Sequence, residues 1–147
     1  MQSGDSSYAL SDPVISATRA RRTILIVEDD FDVRFALHEA LVDAGHTVQH
    51  ATDGAQALRG LRAGPLPDLI ILDLMMRGMN GREFRRAQLH DPALAGIPVL
   101  LVSAVPNIGR EARELGATRA LQKPIRLDEL LEAVAHCHPP DNTGASS

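Results

Sequence analysis

Asp73 stands at the end of an unbroken apolar run, Leu69-Ile70-Ile71-Leu72, where a charge would ordinarily be out of place. Three other strand-like segments also end in polar side chains. Thr23-Ile24-Leu25-Ile26-Val27 runs into Glu28-Asp29-Asp30, Val99-Leu100-Leu101-Val102 runs into Ser103, and Ala120-Leu121-Gln122 runs into Lys123-Pro124. In a parallel sheet such ends lie side by side, and ligands bind just outside them. Clustered carboxylates with one lysine and one hydroxyl suit a magnesium ion and a phosphoryl group. Glu28, Asp29 and Asp73 would repel one another at close range unless a cation sat among them, and magnesium takes one or two carboxylates directly and keeps several waters. A carboxylate can also attack phosphorus to give an aspartyl phosphate. Lys123 would then neutralise phosphoryl charge, and Ser103 would supply a hydroxyl donor. Pro124 fixes the turn that aims Lys123, and a cis Lys123-Pro124 bond suits that turn.

These ends need a scaffold, and the rest of the chain supplies it by alternation. Helical spacing predicts a helix over 32–44, with Val33, Ala36, Leu37, Ala40 and Leu41 on its core face and Gly45 as its stop. Thr47 to Ala51 reads as a short strand, and Thr52-Asp53-Gly54 opens a helix that Gly64-Pro65 ends. Further helices are predicted over 81–89, 108–115 and 126–136, the last with Leu127, Leu130, Leu131 and Val134 facing the core. Strands separated by helix-length segments imply right-handed crossovers and a sheet covered on both faces. The fold class is α/β, a flavodoxin-like doubly wound sheet of five parallel strands in the order 2-1-3-4-5, with its site where the strand order reverses.

Composition sets the limits. The 147 residues fit one domain, and a hydrophobic fraction of 44% is enough for a core. Tyr8, Phe31, Phe35 and Phe84 are the only aromatics, so that core is built of Leu, Ile, Val and Ala. A net charge of −4 argues against non-specific nucleic-acid binding. The single Cys137 excludes an internal disulfide and a cysteine-based zinc site, and is read as a passive residue near a fraying helix end. No run is long and apolar enough for a membrane span, and the first 16 residues lack a secretory pattern, which points to a cytoplasmic setting. Residues 1–21 read as a flexible tail ending in the solvated cluster Arg19, Arg21 and Arg22, residues 22–137 as the folded domain, and residues 138–147 as a disordered tail. Asp30 is read as a helix cap rather than a ligand, the six histidines as lacking ligand spacing, and Met75, Met76 and Met79 as loop packing.

The ordered series Ile26-Val27-Glu28-Asp29-Asp30, Asp73, Ser103-Ala104 and Lys123-Pro124 resembles the receiver domain of bacterial two-component response regulators over about residues 22–137. Each motif is weak alone; four in this order and spacing are specific. The resemblance implies that Asp73 accepts a phosphoryl group from a histidine kinase or a histidine phosphotransfer protein. It implies that Asp29 holds Mg2+ directly and Glu28 mostly through water, with the Met75 backbone carbonyl as a further ligand. Ser103 would move toward the phosphoryl group and Lys123 would pair with it. Such a protein is not an enzyme beyond catalysing its own phosphorylation and slow dephosphorylation. A haloacid-dehalogenase-like phosphohydrolase would need an acid where Met75 stands.

The chain departs from the pattern in three places. Arg77 and Gly78 stand where the family loop usually carries a proline and its neighbour, which predicts a more mobile loop. Ala120 replaces the aromatic whose rotamer usually reports phosphorylation, and the segment from Ser103 to Gly116 is short, with Pro106-Asn107 where the fourth helix should begin. With only about ten polar residues after the last helix, the expectation is a stand-alone receiver without a DNA-binding output domain. It would act on an unknown protein partner or relay phosphate, as a monomer or weak dimer.

Overall fold

The structure, a computed structural model, describes residues 21–138. The two expected tails therefore fall almost wholly outside the described residues, and so does Arg19. The elements run β1 (Thr23–Val27), α1 (Phe31–Asp43), β2 (Thr47–Ala51), α2 (Gly54–Ala63), β3 (Leu69–Leu72), α3 (Gly81–Leu89), β4 (Val99–Ser103), α4 (Ile108–Leu115), β5 (Arg119–Gln122) and α5 (Leu127–Ala135). All strand pairings are parallel, and the sheet order is β2-β1-β3-β4-β5, the order expected from the alternation of elements.

Two-residue periodicity divides each strand between two cores. Ile24, Ile26, Leu69, Ile71, Leu100 and Val102 face α1 and α5, where Leu37, Leu41, Leu130 and Val134 meet them. Leu25, Val27, Ile70, Leu72, Val99 and Leu101 face α2, α3 and α4, where Leu58, Leu61, Phe84 and Ile108 meet them. β3 and β4 are buried along their whole length, which accounts for their unbroken apolar sequences.

The helix ends are marked by short polar side chains. Asp30 accepts a hydrogen bond from Val33 N at 3.1 Å and caps α1, as expected. Asp53 caps α2 by accepting from Gln56 N, and Asn80 and Glu83 form a reciprocal capping box at the start of α3.

Several expectations need correction. Leu127 and Leu131 are on the solvent side of α5, 52% and 36% exposed, and Ala133 and Cys137 take core positions with Leu130 and Val134. Ala36 is exposed; the core stripe of α1 narrows to Leu37 and Leu41, with Val33 and Ala40 at its margin. The helix packs on β1 and the edge strand β2 and meets α5 along its flank, which leaves Ala36 facing solvent. Arg22 is not merely solvated: its guanidinium donates to the carbonyls of Val134 and Cys137, and so ties the start of β1 to the end of α5. Cys137 is wholly buried, not frayed, and burial pushes its thiol pKa up, which leaves it inert for a reason other than the expected one.

Candidate functional site

The sheet's own hydrogen bonding delivers the polar residues to one rim. The ladder continues one step beyond the apolar strands: Glu28 N donates to Ala51 O at 3.0 Å, Asp73 N to Val27 O at 3.1 Å, and Lys123 N to Ser103 O at 2.9 Å. Each polar residue is thus fixed through its backbone to the neighbouring strand. The side chains need only short reaches to meet.

Lys123 Nζ donates to Glu28 Oε1 at 2.7 Å and to Asp73 Oδ2 at 3.1 Å. Both carboxylates are nearly inaccessible, at 2% and 4% exposure. Asp73 Oδ1 accepts from Met75 N, Glu28 Oε2 accepts from Asp30 N, and Asp29 Oδ2 accepts from Arg77 N at 3.2 Å. Carboxylate oxygens of Glu28, Asp29 and Asp73 all lie within 4.8 Å of one another. Burial pushes the Glu28 carboxyl up to about 7, and the Asp73 charge adds to this; the hydrogen bonds from Lys123 and Asp30 N oppose it. Burial also works against the Lys123 ammonium, but the hydrogen bonds and charges of Glu28 and then Asp73 outweigh it and hold Lys123 above the usual lysine value. The cluster therefore holds its lysine as a cation, while burial and the neighbouring Asp73 charge make the Glu28 anion costly. An arrangement that disfavours its own negative charge has room for more positive charge. The donor set is all oxygen, so the residues fit a hard divalent ion such as magnesium.

Ser103 lies at the end of β4, fully buried, and among the described residues its Oγ has no hydrogen-bond partner. A buried hydroxyl left without a partner is costly and asks for an acceptor that arrives later. The Lys123-Pro124 peptide is cis. Met75 does not pack in the loop core as expected: its side chain is 62% exposed, whereas Met76 and Met79 do pack against the core. Arg77 is exposed, and its contribution to the site is its backbone N–H to Asp29. Gly78 takes a left-handed φ of 69°, and the loop around it is tied by Gly54 N to Met79 O and by Gly81 N to Leu74 O. Ala120 is half-buried against the core on the α4 side of the sheet.

One residue near the site has no signal in the sequence. Arg34, on α1, donates to the Glu28 backbone carbonyl at 2.8 Å and lies 5.6 Å from the Phe31 ring centroid. It steadies the acidic loop from outside. Only its position one turn into the helix that follows the acids could have hinted at this.

Comparison with known proteins fits this geometry. Residues 24–135 match the family model described as response regulator receiver domain. Sporulation initiation phosphotransferase F of Bacillus subtilis (strain 168) is 34% identical over 114 residues, which cover 76% of this chain and 89% of that protein. Response regulator MprA of Mycobacterium ulcerans is 38% identical over 110 residues, 74% of this chain but only 46% of that protein. The chain thus spans nearly all of one relative and less than half of the other. The solved structure of chemotaxis protein CheY4 from Vibrio cholerae superposes with a TM-score of 0.70 at 32% identity, covering 78% of this chain and 97% of that one.

Proposed function

The chain belongs to the response regulator receiver domain family, and from that premise we propose that Asp73 is its phosphoacceptor. Phosphorylation-dependent signalling is general for this family. The observation that carries the reading is the double hydrogen bond of Lys123 to Glu28 and Asp73, beside an unpartnered buried Ser103 hydroxyl.

The chemistry is an in-line displacement at phosphorus. An Asp73 carboxylate oxygen forms a bond to phosphorus as the phosphorus–nitrogen bond of a phosphohistidine breaks, and the electron pair departs on the imidazole nitrogen. Lys123, already within 3.1 Å of Asp73, shifts its hydrogen bonds onto the phosphoryl oxygens. Ser103 donates its free hydroxyl to the same group. Asp29, Glu28 and the Met75 carbonyl, with Asp73, would hold Mg2+, which when bound neutralises charge on the phosphoryl oxygens. The backbone N–H groups of Met75, Asp30 and Arg77 hold the three carboxylates in place throughout. Water attack on the aspartyl phosphate returns Asp73 and inorganic phosphate slowly, so the protein acts as a switch rather than a turnover enzyme.

The partners that follow are a histidine kinase or histidine phosphotransfer protein as donor, and a protein whose binding depends on phosphorylation as target, in the cytoplasm. Among the described residues no helix is long and apolar enough to cross a membrane. The test is incubation with acetyl phosphate and Mg2+ followed by intact mass over time. A receiver gains one phosphoryl group, loses it slowly, and gains none as Asp73→Ala. Turnover of many equivalents would make it a hydrolase, and no gain in the parent would make the site vestigial.

A further inference from the structure

His38 and His50 belong to different elements, α1 and β2, and the fold brings their rings together. His38 Nδ1 and His50 Nε2 lie 2.9 Å apart, with the ring planes 26° from parallel. The frame beneath them is fixed. Leu37 and Leu41, on either side of His38 along α1, are buried in the core, as is Ala51 next to His50. β2 is paired to β1 along its length, with His50 opposite Ile26. The rings themselves are accessible, His38 half-buried and His50 exposed.

At this distance two neutral imidazoles share one hydrogen, the N–H of one ring donating to the lone pair of the other. The same two nitrogens suit a metal ion. Metal–imidazole bonds of about 2.0–2.1 Å set at a right angle span about 2.9 Å, whereas a tetrahedral angle needs about 3.3–3.4 Å. The observed spacing is that of neighbouring positions in tetragonal coordination, the geometry of Ni2+ and Cu2+, rather than the tetrahedral arrangement usual for Zn2+. To meet at the ion, each lone pair turns by about 45°, which the broad outer torsion of histidine permits. The donor ring gives up the shared proton and takes one from water on its other nitrogen, so both rings stay neutral and no proton is lost overall. Burial, then His38 and Arg34, hold His50 below the ordinary imidazole value, so at neutral pH it offers a lone pair. Arg34, four residues before His38, is committed to the Glu28 carbonyl at 2.8 Å; its charge opposes a dication and limits the affinity.

We propose that His38 and His50 form a surface site for a tetragonal divalent transition-metal ion, Ni2+ or Cu2+, with water in its other positions. It differs in kind from the acidic rim of Glu28, Asp29 and Asp73, whose oxygens suit Mg2+; two imidazoles select against Mg2+. A bound ion clips α1 to the edge strand β2. The inference does not depend on Asp73 as phosphoacceptor.

The test is calorimetric titration of Ni2+ into the full chain without a histidine tag, in excess Mg2+ so that the acidic rim is filled. His38→Gln and His50→Gln are titrated alongside His90→Gln, a control on α3 at the opposite face of the sheet. Saturation at one Ni2+ per chain is expected in the parent and the control, with loss of that heat in His38→Gln and in His50→Gln. Ni2+ should raise the melting temperature of the parent and leave those two variants unmoved. The Cu2+-loaded parent should show electron paramagnetic resonance splitting from two nitrogens. Either variant alone suffices, so failure of one to fold leaves the other as the test. Absence of binding in the parent, unchanged binding in both variants, equal loss in the control, or a copper spectrum with a single nitrogen overturns the site.

Discussion

The same chemical change, glycine to alanine, should act with opposite sign at two positions. A Cβ built on Gly81 would lie 2.3 Å from Asp73 O, 2.7 Å from Leu74 Cα and 3.0 Å from Asp73 C. All three are backbone atoms of the segment that carries Asp73, so no side chain can rotate out of the way. About an ångström must open between α3 and the end of β3 before the contact becomes ordinary. Overpacking where side chains can yield costs about 1–3 kcal/mol, and a backbone clash belongs at the top of that range, about 3 kcal/mol. For a folded unit of this size 1 kcal/mol is worth roughly 4 °C, so Gly81→Ala should melt roughly 12 °C below the parent. Gly60, exposed within α2, has nothing within 4 Å of its hypothetical Cβ. There Gly60→Ala removes only the entropic penalty of glycine in a helix and should stabilise by about 0.5–1 kcal/mol, roughly 2–4 °C. Thermal melts of the three proteins in one buffer are the assay. Because the opened gap includes the Asp73 carbonyl, Gly81→Ala should also take up phosphate from acetyl phosphate more slowly at a temperature where it is folded. A Gly81→Ala protein that melts with the parent would refute the docking of α3 directly against the Asp73 backbone.

Other consequences can be checked alongside. Lys123→Met leaves the buried Glu28 and Asp73 carboxylates without their shared cation, at a cost of about 3–5 kcal/mol in urea titrations, and added Mg2+ should recover more stability in this variant than in the parent. Asn80→Ala removes one half of the α3 capping box and should cost about 1 kcal/mol by the same titration. His46 and His50 are both held below the ordinary imidazole value of 6.5 by burial, aided by Arg22 at His46 and by His38 and Arg34 at His50. The unfolded chain therefore binds more protons than the native one below that value. The stability these rings contribute is complete above pH 6.5 and is lost as the pH falls through it. A protein carrying His46→Gln and His50→Gln should show a flatter decline than the parent between about pH 7 and about pH 5; parallel profiles would show that the rings do not carry it.

What could be read from the chain follows from which interactions are local. Strand and helix positions were legible because Leu69-Ile70-Ile71-Leu72 and Val99-Leu100-Leu101-Val102 are buried on both faces and bounded by polar residues, and because Asp30, Asp53 and Asn80 are local caps. The convergence of Glu28, Asp29, Asp73 and Lys123 was legible because parallel strands align their ends, so that four separate terminal residues become one rim. Helical periodicity alone misplaced Leu127, Leu131 and Ala36, since the width of a buried stripe depends on how a helix is tilted over its neighbours. The histidines lack ligand spacing along the chain, yet His38 Nδ1 and His50 Nε2 lie 2.9 Å apart, brought together by the packing of α1 on β2. Arg85 and Gln88 on α3 are buried because Arg85 donates to the carbonyls of Leu115 and Gly116 and Gln88 to those of Leu94 and Ile97, partners outside α3 that leave no mark in the side-chain sequence.

The most direct test of the central claim is to locate the phosphoryl group itself. After acetyl phosphate and Mg2+, borohydride reduction converts an acyl phosphate to an alcohol, and peptide sequencing finds where. Homoserine is expected in the place of Asp73 and nowhere else, with none in the Asp73→Ala protein. Trapping at Asp29 or Asp30, or a phosphoryl group that resists reduction because it sits on a histidine, would contradict it.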